Sequence, residues 1–128
     1  MYMVAAGTHV NSGCCFDFGN AEANSDDNGN GHMDAVNLGT ECYFAPCSGT
    51  GPWVEADMEN GLFSGGNGPN TANAGNGSNF VTAMLKNNGQ TTYALKGGDA
   101  TTGGLSTWWE GACSAGARAE AISRGRGR

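Results

Sequence analysis

Trp53-Val54-Glu55-Ala56-Asp57-Met58-Glu59-Asn60-Gly61 alternates with a period of two, the period of an extended strand. Val54, Ala56 and Met58 fall on one face, and Trp53, Glu55, Asp57 and Glu59 on the other. This is the pattern of an antiparallel strand with one face on the core and one toward water. Same-face side chains two residues apart lie about 6.5–7 Å from each other, close enough for like charges to raise one another's pKa where water is partly excluded. The row therefore reads either as a solvated acidic face or as an acid/base site. Trp53 favours a polar cleft, because an indole offers a flat surface to the apolar side of a sugar while carboxylates accept its hydroxyl hydrogens. Asn60-Gly61 has the composition of a tight hairpin turn, which would leave Glu59 at the strand's mouth.

Composition agrees with an all-β chain. At 128 residues there is room for one domain. Its 23 glycines, together with many asparagines, make it rich in turns and poor in helix formers. A formal net charge of -6 disfavours a nucleic-acid binder, which needs a basic surface. No apolar run approaches the roughly 20 residues that span a bilayer, so no membrane contact is expected. Five cysteines without zinc-type spacing point to an oxidising, extracellular setting. Residues 1–6 lack the basic start and apolar length of a signal peptide, so the expected N-terminus of the natural protein lies upstream.

Other strands flank the central one. Residues 1–6 read as a short strand, and residues 7–13 as a turn in which His9 is a surface residue. In Cys14-Cys15-Phe16-Asp17-Phe18, Cys14, Phe16 and Phe18 alternate with Cys15 and Asp17. Adjacent cysteines have Cα atoms about 3.8 Å apart, below the usual disulfide range, so each pairs elsewhere, stays reduced, or forms a strained vicinal bridge. Residues 33–38 carry a weak strand signal. Cys42-Tyr43-Phe44-Ala45-Pro46-Cys47 is a loop that a local disulfide could close. Residues 62–63 begin a returning strand, and 64–78 form a Gly/Asn loop. Residues 79–86 and 91–96 read as a hairpin, and 105–109 as a last strand whose tryptophans suit either a core or a binding surface.

Asp26, Asn28, Asn30 and Gly31 match the first half of a calcium loop, but the twelfth position is Asn37 rather than a bidentate Glu. A surface loop is the expected reading, with no metal, and His32 is read as structural. Beyond Gly111, Arg118, Arg124, Arg126 and Arg128 make a basic ending without apolar period. The expected organisation is a partial β-sandwich over residues 1–112 and a divergent or disordered tail over 113–128, in which Cys113 has no obvious partner.

The segments Gly13-Cys14-Cys15-Phe16-Asp17-Phe18-Gly19-Asn20-Ala21-Glu22, Gly29-Asn30-Gly31-His32-Met33-Asp34-Ala35 and Gly51-Pro52-Trp53 through Gly61-Leu62-Phe63-Ser64-Gly65 resemble, in order, glycoside hydrolase family 54. That family comprises secreted α-L-arabinofuranosidases, and the likeness runs from about Thr8 to Thr107. It implies a concanavalin-like β-sandwich of jelly-roll type and retaining hydrolysis of terminal arabinofuranosyl residues from arabinoxylan or arabinan. It casts Glu59 as nucleophile, and Asp57 and Asn60 as sugar-binding residues. It further implies a vicinal Cys14–Cys15 disulfide as a wall of the pocket, with Asp17 also lining it, and Phe44 where the family usually has a tryptophan. The family's general acid/base is an Asp in a Gly-Gly-Asp-Asn segment further downstream. Gly97-Gly98-Asp99 matches an earlier family segment, so Asp99 is not assigned that role. The expectation is an internal piece of a catalytic domain without its acid/base: a monomer, needing no cofactor, whose partner is an arabinose-containing polysaccharide or oligosaccharide. A non-catalytic carbohydrate-binding β-sandwich module is the competing reading, and a calcium-stabilised structural domain a third.

Overall fold

The computed structural model describes residues 1–12, 16–20, 34–43, 46–58, 61–66, 69–87 and 92–112. Eight strands follow one another: β1 (Tyr2–Ala6), β2 (Asp17–Gly19), β3 (Asp34–Gly39), β4 (Trp53–Met58), β5 (Gly61–Phe63), β6 (Phe80–Asn87), β7 (Thr92–Asp99) and β8 (Ser106–Ala112). They form two four-stranded antiparallel sheets, ordered β1-β6-β7-β8 and β2-β3-β4-β5. The chain starts in the first sheet, builds the whole of the second, and returns through residues 64–79.

Alternation within the strands makes the core. In the second sheet Val36 pairs with Ala56 and Ala56 with Phe63, while Leu38 pairs with Val54. These five side chains are buried against Ala5, Val81, Ala83, Leu85, Tyr93, Leu95 and Trp108 from the first sheet. Two layers that bury one face each against the other are a β-sandwich, as the family resemblance implies, within the all-β class that the composition predicts. The long hairpin is also as expected: Leu85 faces Leu95 and Asn87 faces Tyr93.

Boundaries differ in detail. Gly61, read as a turn residue, is already the first residue of β5 and pairs with Met58. Among the described residues of the run around Cys14 to Phe18, strand covers Asp17–Gly19, with Phe18 half exposed at the sheet edge. His9 lies at the surface in a turn closed by its N–H to the Ala6 carbonyl, 3.2 Å, as expected.

The Gly/Asn loop after β5 is built in a way composition does not reveal. Asn70 Nδ2 donates to the carbonyls of Ser64, 2.7 Å, and of Trp108 in β8, 2.9 Å. Asn73 Nδ2 donates to Val54 in β4, 2.8 Å, and to Ser64, 3.1 Å. The Tyr93 hydroxyl donates to the Gly65 carbonyl. The loop thus fastens one sheet to the other and satisfies the Val54 carbonyl that the short β5 does not reach.

Candidate active site

Asp17, Asn37 and Glu55 stand opposite one another on β2, β3 and β4, one row across the outer face of the second sheet. Asp57 occupies the next row, paired with Ala35. Ala35 and the facing Gly19 fill little of that row, leaving the space between Asp17 and Asp57 open to their own carboxyl groups. A Cβ on Gly19 would stand 2.1 Å from the Asp34 carbonyl oxygen, so only glycine fits there.

Exposure falls steadily along the face. Asp17 is exposed, Asp57 is half-buried, Asn37 is buried and Glu55 is fully buried. The expected acidic row is therefore present but not uniform, because the segment after β3 covers its inner end. Tyr43 N–H donates to Glu55 Oε2, 3.0 Å, and Ser64 Oγ donates to the Tyr43 carbonyl, 2.6 Å. The Cys42–Cys47 disulfide suggested by the spacing closes this segment, with Cα atoms 6.1 Å apart.

The electrostatics follow from that burial. Asn37 Nδ2 donates to Asp17 Oδ1, 2.7 Å. The Asp17 and Asp57 carboxyl groups stand within hydrogen-bonding reach of each other. Two carboxyl groups can hydrogen-bond only if one keeps its proton. Burial, then the Asp17 charge and the hydrogen bond to it, push Asp57 up to about 7. Asp17 is raised as well: the residue is exposed overall, but its carboxyl, turned toward Asn37 and Asp57, is partly withdrawn from water, against the opposing bonds from those two side chains. Burial pushes Glu55 up to about 8 despite the Tyr43 N–H, with the charges of Asp17, Asp57 and Glu41 adding to it. All three carboxyl groups are thus raised, so the face holds protons at higher pH than an ordinary acidic surface, Glu55 most of all. Such a set offers acceptors and a donor to a polyhydroxylated ligand.

Trp53 shares the face of Glu55 and Asp57 by alternation, but its indole is already engaged. Its Nε1–H donates to the Ser48 carbonyl, 2.8 Å, and its ring lies on Gly51, where a Cβ would be 2.9 Å from ring carbons. The expected sugar platform is instead the lock of the turn that leads into β4. Asp99 lies in the other sheet, where the Thr101 hydroxyl and N–H hold its carboxyl below the ordinary range. Trp108 belongs to the core, and the Trp109 ring stands 6.3 Å from that of Tyr93.

Of the site residues named from the sequence, the structure brings Asp17 and Asp57 together. Cys14, Cys15, Phe44, Glu59 and Asn60 lie outside the described residues, as do the Asp26–Asn30 calcium reading, His32, Cys113 and the tail from 113. Sequence reasoning missed Asn37 and the special position of Glu55. The available signal was an amide within Ala35-Val36-Asn37-Leu38, a segment otherwise apolar on both faces.

Comparison with known proteins gives this geometry a family. The family described as Alpha-L-arabinofuranosidase B, catalytic, matches residues 1–124. Alpha-L-arabinofuranosidase B of Emericella nidulans is 53% identical over 114 residues, covering 87% of this chain and 22% of that protein. The arabinofuranosidase/B-xylosidase of Trichoderma koningii is 53% identical over 116 residues, 88% of this chain and 22% of its own length. An arabinofuranosidase solved in complex with arabinofuranosyl-alpha-1,2-xylobiose matches with a TM-score of 0.76 at 45% identity, covering 88% of this chain and 23% of that one. A GH54 α-L-arabinofuranosidase soaked with a cyclic sulfate inhibitor matches equally well, TM-score 0.76 at 46% identity, with the same coverage of 88% and 23%. The chain spans about a fifth of the length of the relatives it matches. With two β-layers, the paired Asp17 and Asp57, and a match that runs over residues 1–124, this chain belongs to the α-L-arabinofuranosidase B catalytic family.

Proposed function

We propose that this chain supplies the nucleophile-bearing half of a site that removes terminal arabinofuranosyl residues from arabinoxylan or arabinan with retention of configuration. The observation that carries the reading is the Asp17–Asp57 carboxyl pair, steadied by Asn37, with Asp57 two residues before Glu59 in sequence. Asp57 and Asp17, one holding a proton and one free to accept, grip the furanose hydroxyls. Glu59 attacks the anomeric carbon and forms the glycosyl-enzyme bond as the leaving oxygen departs. Retention then needs a second carboxyl about 5–5.5 Å from the first, protonated to assist departure and later able to deprotonate water. Asp57 lies only two residues before Glu59 in sequence, and the Thr101 hydroxyl and N–H hold the Asp99 carboxyl below the ordinary range, so in this reading neither serves as that proton donor and the chain lacks the general acid/base. In this scheme Asn60, Phe44 and the Cys14–Cys15 pair complete the pocket wall. The Cys42–Cys47 disulfide supports an oxidising, extracellular location.

The test is hydrolysis of a chromogenic α-L-arabinofuranoside by the 128-residue chain and by its Glu59→Gln variant, alongside calorimetric titration with an arabinoxylan oligosaccharide. Binding without turnover is expected from both. Turnover that vanishes in the variant would overturn the reading that this chain lacks the general acid/base. A folded chain that gives no binding heat would overturn the sugar site itself.

A further inference from the structure

Glu55 is the one fully buried carboxyl side chain among the described residues, and the catalytic scheme gives it nothing to do. A carboxyl removed from water costs free energy unless every oxygen is satisfied, and a leucine there would avoid that cost. Yet Oε2 accepts the Tyr43 N–H at 3.0 Å, while Oε1 has no hydrogen-bond partner among the described residues. Tyr43 is gripped from the other side by Ser64 Oγ on its carbonyl. Its peptide is therefore clamped between β4 and the segment after β5, one residue along from Cys42 and within the loop closed by the Cys42–Cys47 disulfide. The same Glu55 stands beside Asn37, which holds Asp17, and two residues before Asp57. One side chain thus touches the covering loop and stands in the acid-bearing row.

The charges acting on Glu55 come from Asp17 on β2, Asp57 on β4 and Glu41 in the segment after β3, and all are negative. Among the described residues no lysine, arginine or histidine acts on it to offset them. A third anion behind the Asp17–Asp57 pair would add like-charge repulsion to it.

We propose that Glu55 is a positioning residue of the sugar site: a neutral carboxylic acid that fastens the Cys42–Cys47 loop to the strand bearing Asp57 without adding charge behind the Asp17–Asp57 pair. The proposal rests on the sugar-site reading above. In the neutral form it holds loop and acid pair at one spacing around the ring. Ionisation, with its midpoint near pH 8, introduces the buried charge and draws water into the clamp.

The test uses the 128-residue chain, ¹⁵N-labelled, as wild type, Glu55→Gln and Glu55→Leu, with methyl α-L-arabinofuranoside as probe. Glutamine keeps an acceptor for Tyr43 and cannot ionise, whereas leucine keeps volume and loses the acceptor. In the wild type the Tyr43 amide resonance should move with a midpoint near pH 8, and in Glu55→Gln it should stay still. At pH 6 the glutamine variant should bind within about twofold of wild type and the leucine variant about tenfold more weakly. At pH 9 wild type should fall about threefold or more below Glu55→Gln. Equal affinities for wild type and Glu55→Leu, or identical pH profiles for wild type and Glu55→Gln, would overturn the positioning role and leave the sugar site standing. The pH comparison decides even if the leucine variant does not fold. Absence of binding by every folded variant would overturn the sugar site and, with it, this role.

Discussion

Asp17 and Asp57 stand within hydrogen-bonding reach of each other across the intervening strand β3, so that two aspartates on alternate strands act as one pair of carboxyl groups. Asn37, on the strand between them, leaves the acceptor no freedom to turn away. The pairing is what distinguishes this sheet face from an ordinary acidic surface, where like charges would be separated by water.

A titration follows from the pair. The Asp57 carboxyl carbon, followed by ¹³C NMR, should titrate with a midpoint near 7 rather than in the ordinary aspartate range. After its burial, the Asp17 charge and the bond to Asp17 are what raise it, so Asp17→Asn removes both of those causes. The Asp57 midpoint should then drop by about a unit or more, held above normal only by burial. An unchanged midpoint would mean that the two groups do not share a proton.

Stability should fall as pH rises from about 5 to 8. Glu55 ionises near 4.5 when unfolded and near 8 when folded, and Asp57 near 3.8 and 7. Between those limits the unfolded chain has released protons that the folded chain retains, so each group removes about 1.4 kcal/mol of stability per pH unit. The stabilising effect of acid is complete below the unfolded values and gone above the folded ones. Urea unfolding at pH 5 and pH 8 measures the drop, and Glu55→Gln should shrink it by removing the larger of the two shifts. A stability that rose between pH 5 and 8 would contradict the buried neutral carboxyl.

What the sequence makes legible depends on whether a residue's environment is local. The alternation of residues 53–58 and the 80–87/92–99 hairpin report their own faces, because each strand has one apolar side. Strand β3 is weak in sequence because Ala35, Val36, Asn37 and Leu38 are all buried, two on each face, which erases the period. Glu55 alternates correctly with Asp57, yet its burial comes from the distant Tyr43 and Ser64, which no spacing within 53–61 encodes. Trp53 shares the acidic face as read, but Ser48, five residues earlier, takes its N–H. The Gly/Asn composition of residues 64–78 suggests a passive loop, and nothing local announces that Asn70 and Asn73 bridge two sheets.

That bridge carries its own prediction. Asn73 is fully buried and spends its amide on the Val54 and Ser64 carbonyls. Asn73→Ala leaves Val54 buried without that donor, and should cost about 2 kcal/mol in urea unfolding. Asn70→Ala should cost a similar amount, because it frees the Trp108 carbonyl. The double variant should lose less than the sum, since both amides share the Ser64 carbonyl. Strict additivity would argue against a connected network.

Gly97 on β7 faces Trp108 so closely that an added Cβ would stand 2.4 Å from the indole ring. That ring is part of the core, 6% exposed, and cannot swing outward without opening the contact between the sheets. Gly97→Ala should therefore destabilise by about 1–3 kcal/mol, the cost of overpacking. Gly104 is exposed, and a methyl group added there would meet nothing within 4 Å, so Gly104→Ala should leave the unfolding midpoint nearly unchanged. The pair separates steric conflict from any general penalty of replacing glycine in this chain. Trp108→Phe gives back some of the space, and in combination with Gly97→Ala it should recover about 1 kcal/mol relative to the sum of the single changes. Equal effects of Gly97→Ala and Gly104→Ala would mean that the tight seat of Trp108 against β7 is not what holds this corner of the sandwich.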